Sequence, residues 1–333
     1  MSANPDLRLV QSRIDPSGGL DVSDVTPHIN IIDPNASSPL RLKGEGARFS
    51  ITPRLVGKLE GLSRVRLRLG KLKNDVSDDW KHCLADPTTR RAIAQSVIAS
   101  SEIEGEGLYA SEIPWYLEAV TQSAEGVVSH ELSQRIRAIT DIYDTYVWAL
   151  TLDRKSYIDF DLILELHARM FVTSRAVIAG RLKDKEVMIR GAGYEVRTLR
   201  ADRTAEFLRE LCVRTNQRLI NAKEYADESM LLVVSEFLLD FLAIHPFIDG
   251  NGRLARLLST YLLERAGYRF ARFYPLDLVI LETRDRYYQS LFKAQIDWYG
   301  ANEDLTPWVD YYVGSVSTQC QRALQVVANR GAS

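Results

Sequence analysis

The chain has 333 residues, of which 46% are apolar and 26% charged, and its formal net charge is −2. This composition is ordinary for a globular protein, and the near-zero charge gives no basic field that would favour nucleic acid or anionic lipid. No apolar run of about 18 residues predicts a membrane span. The three cysteines lie far apart and predict neither a disulfide framework nor a zinc site, and the first residues contain no apolar signal core. We therefore expect a cytoplasmic protein.

Residues 1–48 are rich in Pro, Asp, Ser and Asn and predict an extended segment rather than a domain. From about residue 52, leucines recur at helical spacing and predict an amphipathic helix. Lysines and arginines are frequent over residues 54–73 of this helix. They leave a nucleic-acid surface conceivable, but a solvated helix face is the interpretation that the composition favours.

A second helix is predicted over residues 88–105, opened by the capping sequence Asp86-Pro87-Thr88. Its apolar face, projected forward at about 100° per residue, ends in Ser100 and Glu104, and Gly105 is a typical C-terminal stop. A carboxylate directed toward the core at the negative end of a helix dipole requires a cation as partner. The alternative is a frayed last turn with Glu104 in water.

The rest of the chain predicts an all-α fold with one β-hairpin. Further helices are expected near residues 110–121, 129–150, 159–172, 203–223, 228–244, 284–298 and 306–329. His167, in the third of these, fits a packed structural residue better than a ligand. The hairpin is predicted from strand-like runs at 186–190 and 194–198 around a glycine turn. Its free edge could accept an extended peptide by strand addition, or it could be a purely structural flap.

Residues 245–256 read His-Pro-Phe-Ile-Asp-Gly-Asn-Gly-Arg-Leu-Ala-Arg, between two apolar helices. A Gly-Asn-Gly turn that opens a helix can cradle a phosphate, because its N–H groups converge at a positive helix end. His245 suits a general base and Asp249 a magnesium ligand. Arg253 and Arg256 can both reach phosphates. The pattern indicates a nucleotide-using transferase.

These twelve residues resemble the motif H-P-F-x-[D/E]-G-N-G-R-x-x-R of the Fic family of protein adenylyltransferases, and they match it at every defining position. Residues 100–105 resemble that family's inhibitory motif, [S/T]-x-x-x-E-[G/N]. The resemblance covers roughly residues 85–310. It implies a Fic-type helical bundle divided into an extended segment (1–48), a helical region with the inhibitory helix (49–155), a Fic domain (156–302) and a C-terminal helix (303–333).

The resemblance also implies residue roles. His245 would deprotonate a Ser, Thr or Tyr hydroxyl of a target protein, which would attack the α-phosphate of ATP. Asp249 would hold Mg²⁺, and Arg256 would bind the γ-phosphate or pair with Glu104 when inhibited. The inhibitory residues would be Ser100, Glu104 and Gly105, and the hairpin residues that dock the target Val187, Met188, Ile189 and Arg190. The ATP-binding set would be Glu104, His245, Gly250, Asn251, Gly252, Arg253, Leu254, Ala255, Arg256 and Tyr288.

Other interpretations stay open at this point. A phosphotransferase like the Doc relatives would depart from the Gly-Asn-Gly-Arg pattern, which is intact here. A non-catalytic nucleotide-sensing module would have no need of His245. The expected partners are ATP and an unknown target protein, the chain itself included, with no membrane. Reverse removal of AMP and a homodimer are both compatible with the sequence.

Overall fold

The computed structural model describes residues 31–32, 48–72, 83–122, 133–152, 157–191, 194–224, 229–299 and 304–330. These parts confirm the predicted all-α class with a small β element. The helices are α1 (Pro53–Leu72), α2 (Pro87–Ile103), α3 (Glu112–Gln122), α4 (Gln134–Leu150), α5 (Phe160–Met170), α6 (Ala201–Glu224), α7 (Ser229–Ile244), α8 (Asn251–Arg265), α9 (Leu276–Glu282), α10 (Arg284–Tyr299) and α11 (Thr306–Arg330). The strands are β1 (Ile31–Ile32), β2 (Met188–Gly191) and β3 (Tyr194–Arg197).

Helices α7 and α8 pack together and form the centre of the fold. Almost every residue of both helices is buried, as the apolar sequence of α7 predicts. Helices α6, α10 and α11 pack around α7, and α1 packs along α11. The turn between α7 and α8, residues 245–250, therefore lies between two rigid helices. None of the described helices is long and apolar enough to cross a membrane.

Helix α2 begins and ends as the sequence predicts, within two residues. The carboxylate of Asp86 accepts a hydrogen bond of 2.9 Å from the N–H of Thr88, and Pro87 occupies the first turn. Gly105 follows the helix with φ of 77°, a left-handed conformation that favours glycine. The helix packs against α3, α4 and α9, and its last turn reaches α8.

The predicted hairpin is present, and β2 and β3 pair antiparallel with Ile189 opposite Val196. Strand β1 adds to the other edge of β3 in parallel, so the sheet order is β1-β3-β2. The sequence predicts only an extended segment over residues 1–48, most of which lies outside the described residues. Among the described residues, β3 is paired on both sides, and the outer edges of the sheet are those of β1 and β2.

Ion pairs connect the N-terminal part of the described chain to helices α7 and α11. Arg48 donates two hydrogen bonds, of 2.8 and 2.6 Å, to the fully buried Asp240 of α7. On α1, Lys58 pairs with Asp310 of α11 at 2.6 Å. Part of the basic face of α1 therefore forms an ion pair within the chain. This supports the interpretation of that face as a structural, solvated helix surface.

Candidate active site

His245 lies just beyond α7, in a left-handed backbone conformation. Its φ is 51°, uncommon for a residue with a side chain and typical of functional turns. Nδ1 lies 3.3 Å from the carbonyl oxygen of Leu242. Because a carbonyl only accepts, the proton belongs on Nδ1, and Nε2 keeps its lone pair. The geometry suits a general base that acts through Nε2.

A buried lysine adjoins this histidine. Lys183 donates from Nζ to the carbonyl of Ile244 at 2.8 Å and to the hydroxyl of Thr198 at 2.9 Å. Burial, together with the Lys183 charge, lowers the pKa of His245 to about 4, and burial lowers the pKa of Lys183 itself to about 7. His245 is therefore neutral near pH 7, as a base must be. Lys183 also ties the end of the hairpin to the end of α7.

His167 is a packed residue, as predicted, and it holds the turn in place. Its ring stacks on Phe247 with 3.7 Å between centroids. Its Nδ1 accepts from the N–H of Gly180 at 2.9 Å, so Nε2 carries the proton and donates to the carbonyl of Asp249 at 3.0 Å. Burial lowers the pKa of His167 to about 3, which keeps this tautomer neutral. The ring fixes the backbone of the predicted metal ligand.

The first helical turn after Asp249 requires glycine at position 250. Gly250 has φ of 83°, and a Cβ there would lie 2.4 Å from the ring of Phe171. Its N–H donates to the Asp249 carboxylate at 2.6 Å. The next N–H groups open α8 and have no helical acceptor, so they form the converging donors that the sequence predicts for a phosphate.

Three further residues of the predicted ATP-binding set make contacts inside the fold. The side-chain amide of Asn251 is engaged with Phe247, accepting from its N–H at 3.0 Å and donating to its carbonyl at 2.8 Å. These two hydrogen bonds shape the turn. Leu254 and Ala255 are buried in the core, and the N–H of Leu254 is bonded to the carbonyl of Gly250.

Arg256 is buried and held by groups on two other helices. It donates to the hydroxyl of Ser100 at 2.7 Å, to the carbonyl of Ser100 at 2.9 Å and to the carboxylate of Glu104 at 2.7 Å. Asp277 of α9 approaches within 3.5 Å. Burial acts to lower the pKa of Arg256, but Glu104, Tyr287 and Asp277 together raise it above its ordinary value. Tyr287 also lies against this guanidinium, and its pKa is raised by burial.

Glu104 is less buried than the sequence predicts. It caps α2 instead of lying inside the helix, and its side chain is 32% exposed. The alternative of a free carboxylate in water is nevertheless wrong, because the side chain reaches Arg256. A Cβ at Gly252 would lie 2.2 Å from Glu104 Oε1, so the missing side chain of Gly252 provides the space for this carboxylate.

Arg253 belongs to a second ionic network. Its Nη1 donates to Glu106 at 2.6 Å, and its Nη2 lies 3.3 Å from the Asp249 carboxylate. Arg175 closes the network by pairing with both Glu106 and Asp249. Partial burial acts to raise the pKa of Glu106, but Arg253 and Arg175 hold it below its ordinary value. Two carboxylates and two guanidinium groups thus neutralise one another beside the turn.

Tyr288 lies beside the end of α2. Its hydroxyl donates to the carbonyl of Ile103 at 3.3 Å, and its ring meets that of Tyr287 edge-on. Burial, and then Glu104, raise the pKa of Tyr288. Tyr288, the predicted ATP-binding residue that follows the twelve-residue motif, therefore stands next to the predicted inhibitory residues.

Sequence reasoning missed four residues that complete the site: Glu106, Arg175, Lys183 and Asp277. Each lies outside the twelve-residue motif and reaches it only through the fold. Glu106 had the best signal, since it follows the inhibitory glutamate by two residues and is therefore carried toward the same helix. The other three have no local pattern that sets them apart from surface or core residues.

One region of the chain matches a known protein family. Residues 157–263 match the family model described as Fic/DOC family. The match covers about a third of the chain and includes the twelve residues 245–256, so this region is similar to the Fic/DOC family.

Among the relatives, Protein adenylyltransferase fic-1 of Caenorhabditis elegans is 29% identical over 172 residues, which are 50% of this chain and 28% of the relative. Protein adenylyltransferase Fic of Drosophila willistoni is 50% identical over 69 residues, which are 20% of this chain and 11% of the relative. The chain thus spans about a third or less of the length of these curated relatives.

Solved structures share the fold. A Fic family protein from Desulfovibrio desulfuricans G20 superposes with a TM-score of 0.63 at 24% identity, covering 84% of this chain and 77% of that one. Fic-1 (residues 134–508) of C. elegans superposes with a TM-score of 0.59 at 22% identity, covering 84% of this chain and 74% of that one. The likeness extends well beyond the domain of residues 157–263.

Proposed function

We propose that this protein is a protein adenylyltransferase, which transfers AMP from ATP to a Ser, Thr or Tyr hydroxyl of a target protein. The observation that carries the proposal is the grouping of a neutral histidine, a carboxylate and two arginines around one helix N-terminus. The names of the relatives, protein adenylyltransferases, support it. A Doc-like phosphotransferase gains no support from the site.

The proposed reaction uses His245 as the catalytic base. Its Nε2 takes the proton of the target hydroxyl, the hydroxyl oxygen forms a bond to the α-phosphorus of ATP, and the bond to the bridging oxygen breaks. Pyrophosphate leaves with the electron pair. The low pKa of His245, about 4, keeps Nε2 unprotonated before the step. The N–H groups that open α8 would stabilise charge on the transferred phosphate.

Asp249 would hold Mg²⁺ together with the phosphates of ATP. No group of three or more His, Cys, Asp or Glu side chains among the described residues forms a metal site by itself. A single carboxylate is nevertheless sufficient for Mg²⁺, which takes one or two protein carboxylates and completes its shell with phosphate and water. The residues present therefore fit. When bound, the ion would neutralise phosphate charge and orient the α- and β-phosphates.

Glu104 would restrain the enzyme by occupying Arg256. The Glu104 carboxylate and the γ-phosphate of ATP are alternative partners for the same buried guanidinium, so the bound carboxylate excludes the productive pose of ATP. Ser100 supports the restrained state through two further hydrogen bonds to Arg256. We assign Ser100, Glu104 and Gly105 to this inhibitory element, and Tyr288 to the neighbourhood of the adenine.

The target segment would bind along β2. The edge of β2 away from β3 is available among the described residues, and strand addition gives affinity through backbone hydrogen bonds. Val187, just before β2, has a carbonyl that already accepts from Thr198, so the docking edge begins at Met188. We keep the division into an N-terminal helical region (49–155), a Fic domain (156–302) and a C-terminal helix (303–333) as part of this proposal.

The test is self-modification with radiolabelled ATP and magnesium, followed by intact mass. Glu104→Gly should increase labelling at least about tenfold, since the carboxylate that occupies the buried Arg256 is removed. Glu104→Gly with His245→Ala should abolish the labelling. The added mass should be that of AMP, because an added phosphate would instead establish the phosphotransferase.

Glu102→Gln is the matched control, since Glu102 is exposed on the same helix. It should leave labelling at the wild-type level. ATP binding by Glu104→Gly without any transfer, to itself or to proteins of a host lysate, would contradict the proposal and establish a nucleotide-sensing module.

A further inference from the structure

Glu106 lies two residues beyond the inhibitory glutamate, and the proposed function assigns it no role. Its carboxylate meets Arg253 at 2.6 Å, and it also pairs with Arg175. Arg253 is 3% exposed, so this contact supplies the charge partner of a nearly buried cation. A pair of that kind is more than a surface salt bridge, because the loss of the carboxylate leaves Arg253 poorly compensated.

Arg175 is held in place by the loop that carries it. The N–H and hydroxyl of Thr173 donate to the buried Asp141 of α4, at 3.0 and 2.6 Å. The N–H of Arg175 itself donates to the carbonyl of Phe171 at 3.0 Å. These hydrogen bonds fix the backbone of the loop on both sides. The fixed backbone places the Arg175 side chain next to Glu106 and Asp249.

A cleft of about 330 Å³ opens beside these residues and is lined in part by Glu106, Arg175 and Arg253. Glu106 and Arg175 are 39% and 42% exposed in the network, so both can move into this cleft without breaking the core. The network is thus accessible and reversible, whereas the Arg256 site behind it is buried.

We propose that Glu106 and Arg175 form a second latch over the phosphate site. Glu106 occupies Arg253, and Arg175 occupies the carboxylate of Asp249. This inference rests on the proposed function, in which Arg253 binds phosphate and Asp249 binds magnesium. It adds a restraint on a different residue, because Glu104 acts on the other motif arginine, Arg256.

The latch has a direct electrostatic consequence. Glu106, Asp249, Arg175 and Arg253 sum to zero charge, so the closed network offers little attraction to a nucleotide. Removal of the Glu106 charge leaves a net positive charge of one beside the helix N-terminus, and it frees Arg253. Removal of the Arg175 charge frees the Asp249 carboxylate for a metal ion. The first change should therefore strengthen the binding of magnesium–ATP, and the second the binding of the metal ion.

The experiment measures magnesium–ATP binding by calorimetry, in a Glu104→Gly/His245→Ala background that does not turn the nucleotide over. Added Glu106→Gln should tighten binding about fivefold, because Arg253 then no longer has to leave a carboxylate before it binds phosphate. Added Arg175→Gln should tighten Mn²⁺ binding, measured by electron paramagnetic resonance. Added Glu102→Gln is the control for charge alone and should change affinity less than twofold.

The outcomes separate the latch from the proposed function. Unchanged or weaker binding with Glu106→Gln would overturn the latch while leaving adenylyl transfer intact. Unchanged or weaker Mn²⁺ binding with Arg175→Gln would overturn it as well, because Arg175 would then not be holding the Asp249 carboxylate away from the metal ion. If the background protein binds no magnesium–ATP while Glu104→Gly alone also fails to self-modify, the proposed function and the latch both fall.

Discussion

The carboxylate of Glu104 fills the space that a side chain at Gly252 would need: a Cβ atom at residue 252 would lie 2.2 Å from Oε1 of Glu104. The approach is possible only because position 252 has no side chain. The glycine that the motif places in the phosphate turn therefore also gives the inhibitory carboxylate its path to Arg256.

We predict that Gly252→Ala expels the Glu104 carboxylate from Arg256 instead of unfolding the turn, because the end of a flexible side chain moves more easily than a buried helix. The cost should be about 1–3 kcal/mol of unfolding free energy, as for a modest steric insertion. Glu104→Ala should cost a similar amount. Urea unfolding of both single variants and of the double variant measures this.

The double variant Gly252→Ala/Glu104→Ala tests whether the two residues compete for this space. Because both substitutions break the same contact, its destabilisation should fall short of the sum of the two by about 1 kcal/mol. Full additivity would mean that Gly252 and Glu104 do not compete for this space.

A second prediction concerns acid stability. His245 has a pKa of about 4 in the folded protein against an ordinary value of 6.5. Between these values the unfolded chain binds the extra proton, so the folded protein loses stability as pH falls, by up to about 1.4 kcal/mol per pH unit. Above pH 6.5 the contribution is complete.

His245→Gln should remove this dependence. As pH falls from 6.5 to 4, the unfolding free energy of the variant should therefore increase progressively relative to that of the wild type. Urea unfolding at several pH values measures this difference. A constant difference between the two proteins over that range would show that His245 titrates normally in the fold.

The third prediction concerns Lys183, whose pKa is lowered to about 7 from an ordinary 10.5. The unfolded chain binds the extra proton between pH 7 and 10.5, so this residue makes stability rise with pH across that window. Below pH 7 both states are protonated and the effect is absent. Lys183→Met should flatten the rise in unfolding free energy between pH 7 and 10.

Lys185→Met is the matched control, since Lys185 is exposed two residues away. It should keep the rise of the wild type. Equal pH profiles for the two variants would exclude a perturbed Lys183.

The fourth prediction concerns Asn251, whose amide bonds both the N–H and the carbonyl of Phe247. Asn251→Asp keeps the acceptor and loses the donor, leaving a carboxylate against a buried carbonyl. We expect a loss of about 1–3 kcal/mol of unfolding free energy. Thermal and urea unfolding measure the loss directly.

Asn221→Asp provides the comparison. Asn221 is exposed on α6 and only accepts, from Gln217. This substitution should change stability by less than about 0.5 kcal/mol, as surface changes usually do. Similar effects at both positions would contradict the role assigned to Asn251.

The sequence was informative wherever the signal is local. Helix α2 was predicted within two residues because Asp86 and Gly105 mark its ends and apolar spacing marks its face. The hairpin was predicted because two strand-like runs flank a glycine turn. By contrast α9, with seven residues, is too short to show helical periodicity, and it carries Asp277 to Arg256.

The parts of the site that escaped prediction are those made by tertiary contact. Nothing in the sequence near Arg175 or Lys183 indicates that each faces the motif, 74 and 61 residues away from the groups they bind. The hydrogen bonds of Asn251 to Phe247 escaped prediction for a simpler reason. Residue type alone does not tell whether an amide turns inward to the backbone or outward to a ligand.

Glu104 and Glu106 stand on either side of Gly105, in one short segment at the end of α2. They reach Arg256 and Arg253, which are three residues apart on α8. Unwinding of this segment would withdraw both carboxylates in one event. The free energy of that local opening, more than the strength of either ion pair, therefore sets the fraction of molecules whose two arginines are simultaneously free. Release should accordingly be cooperative within a single chain.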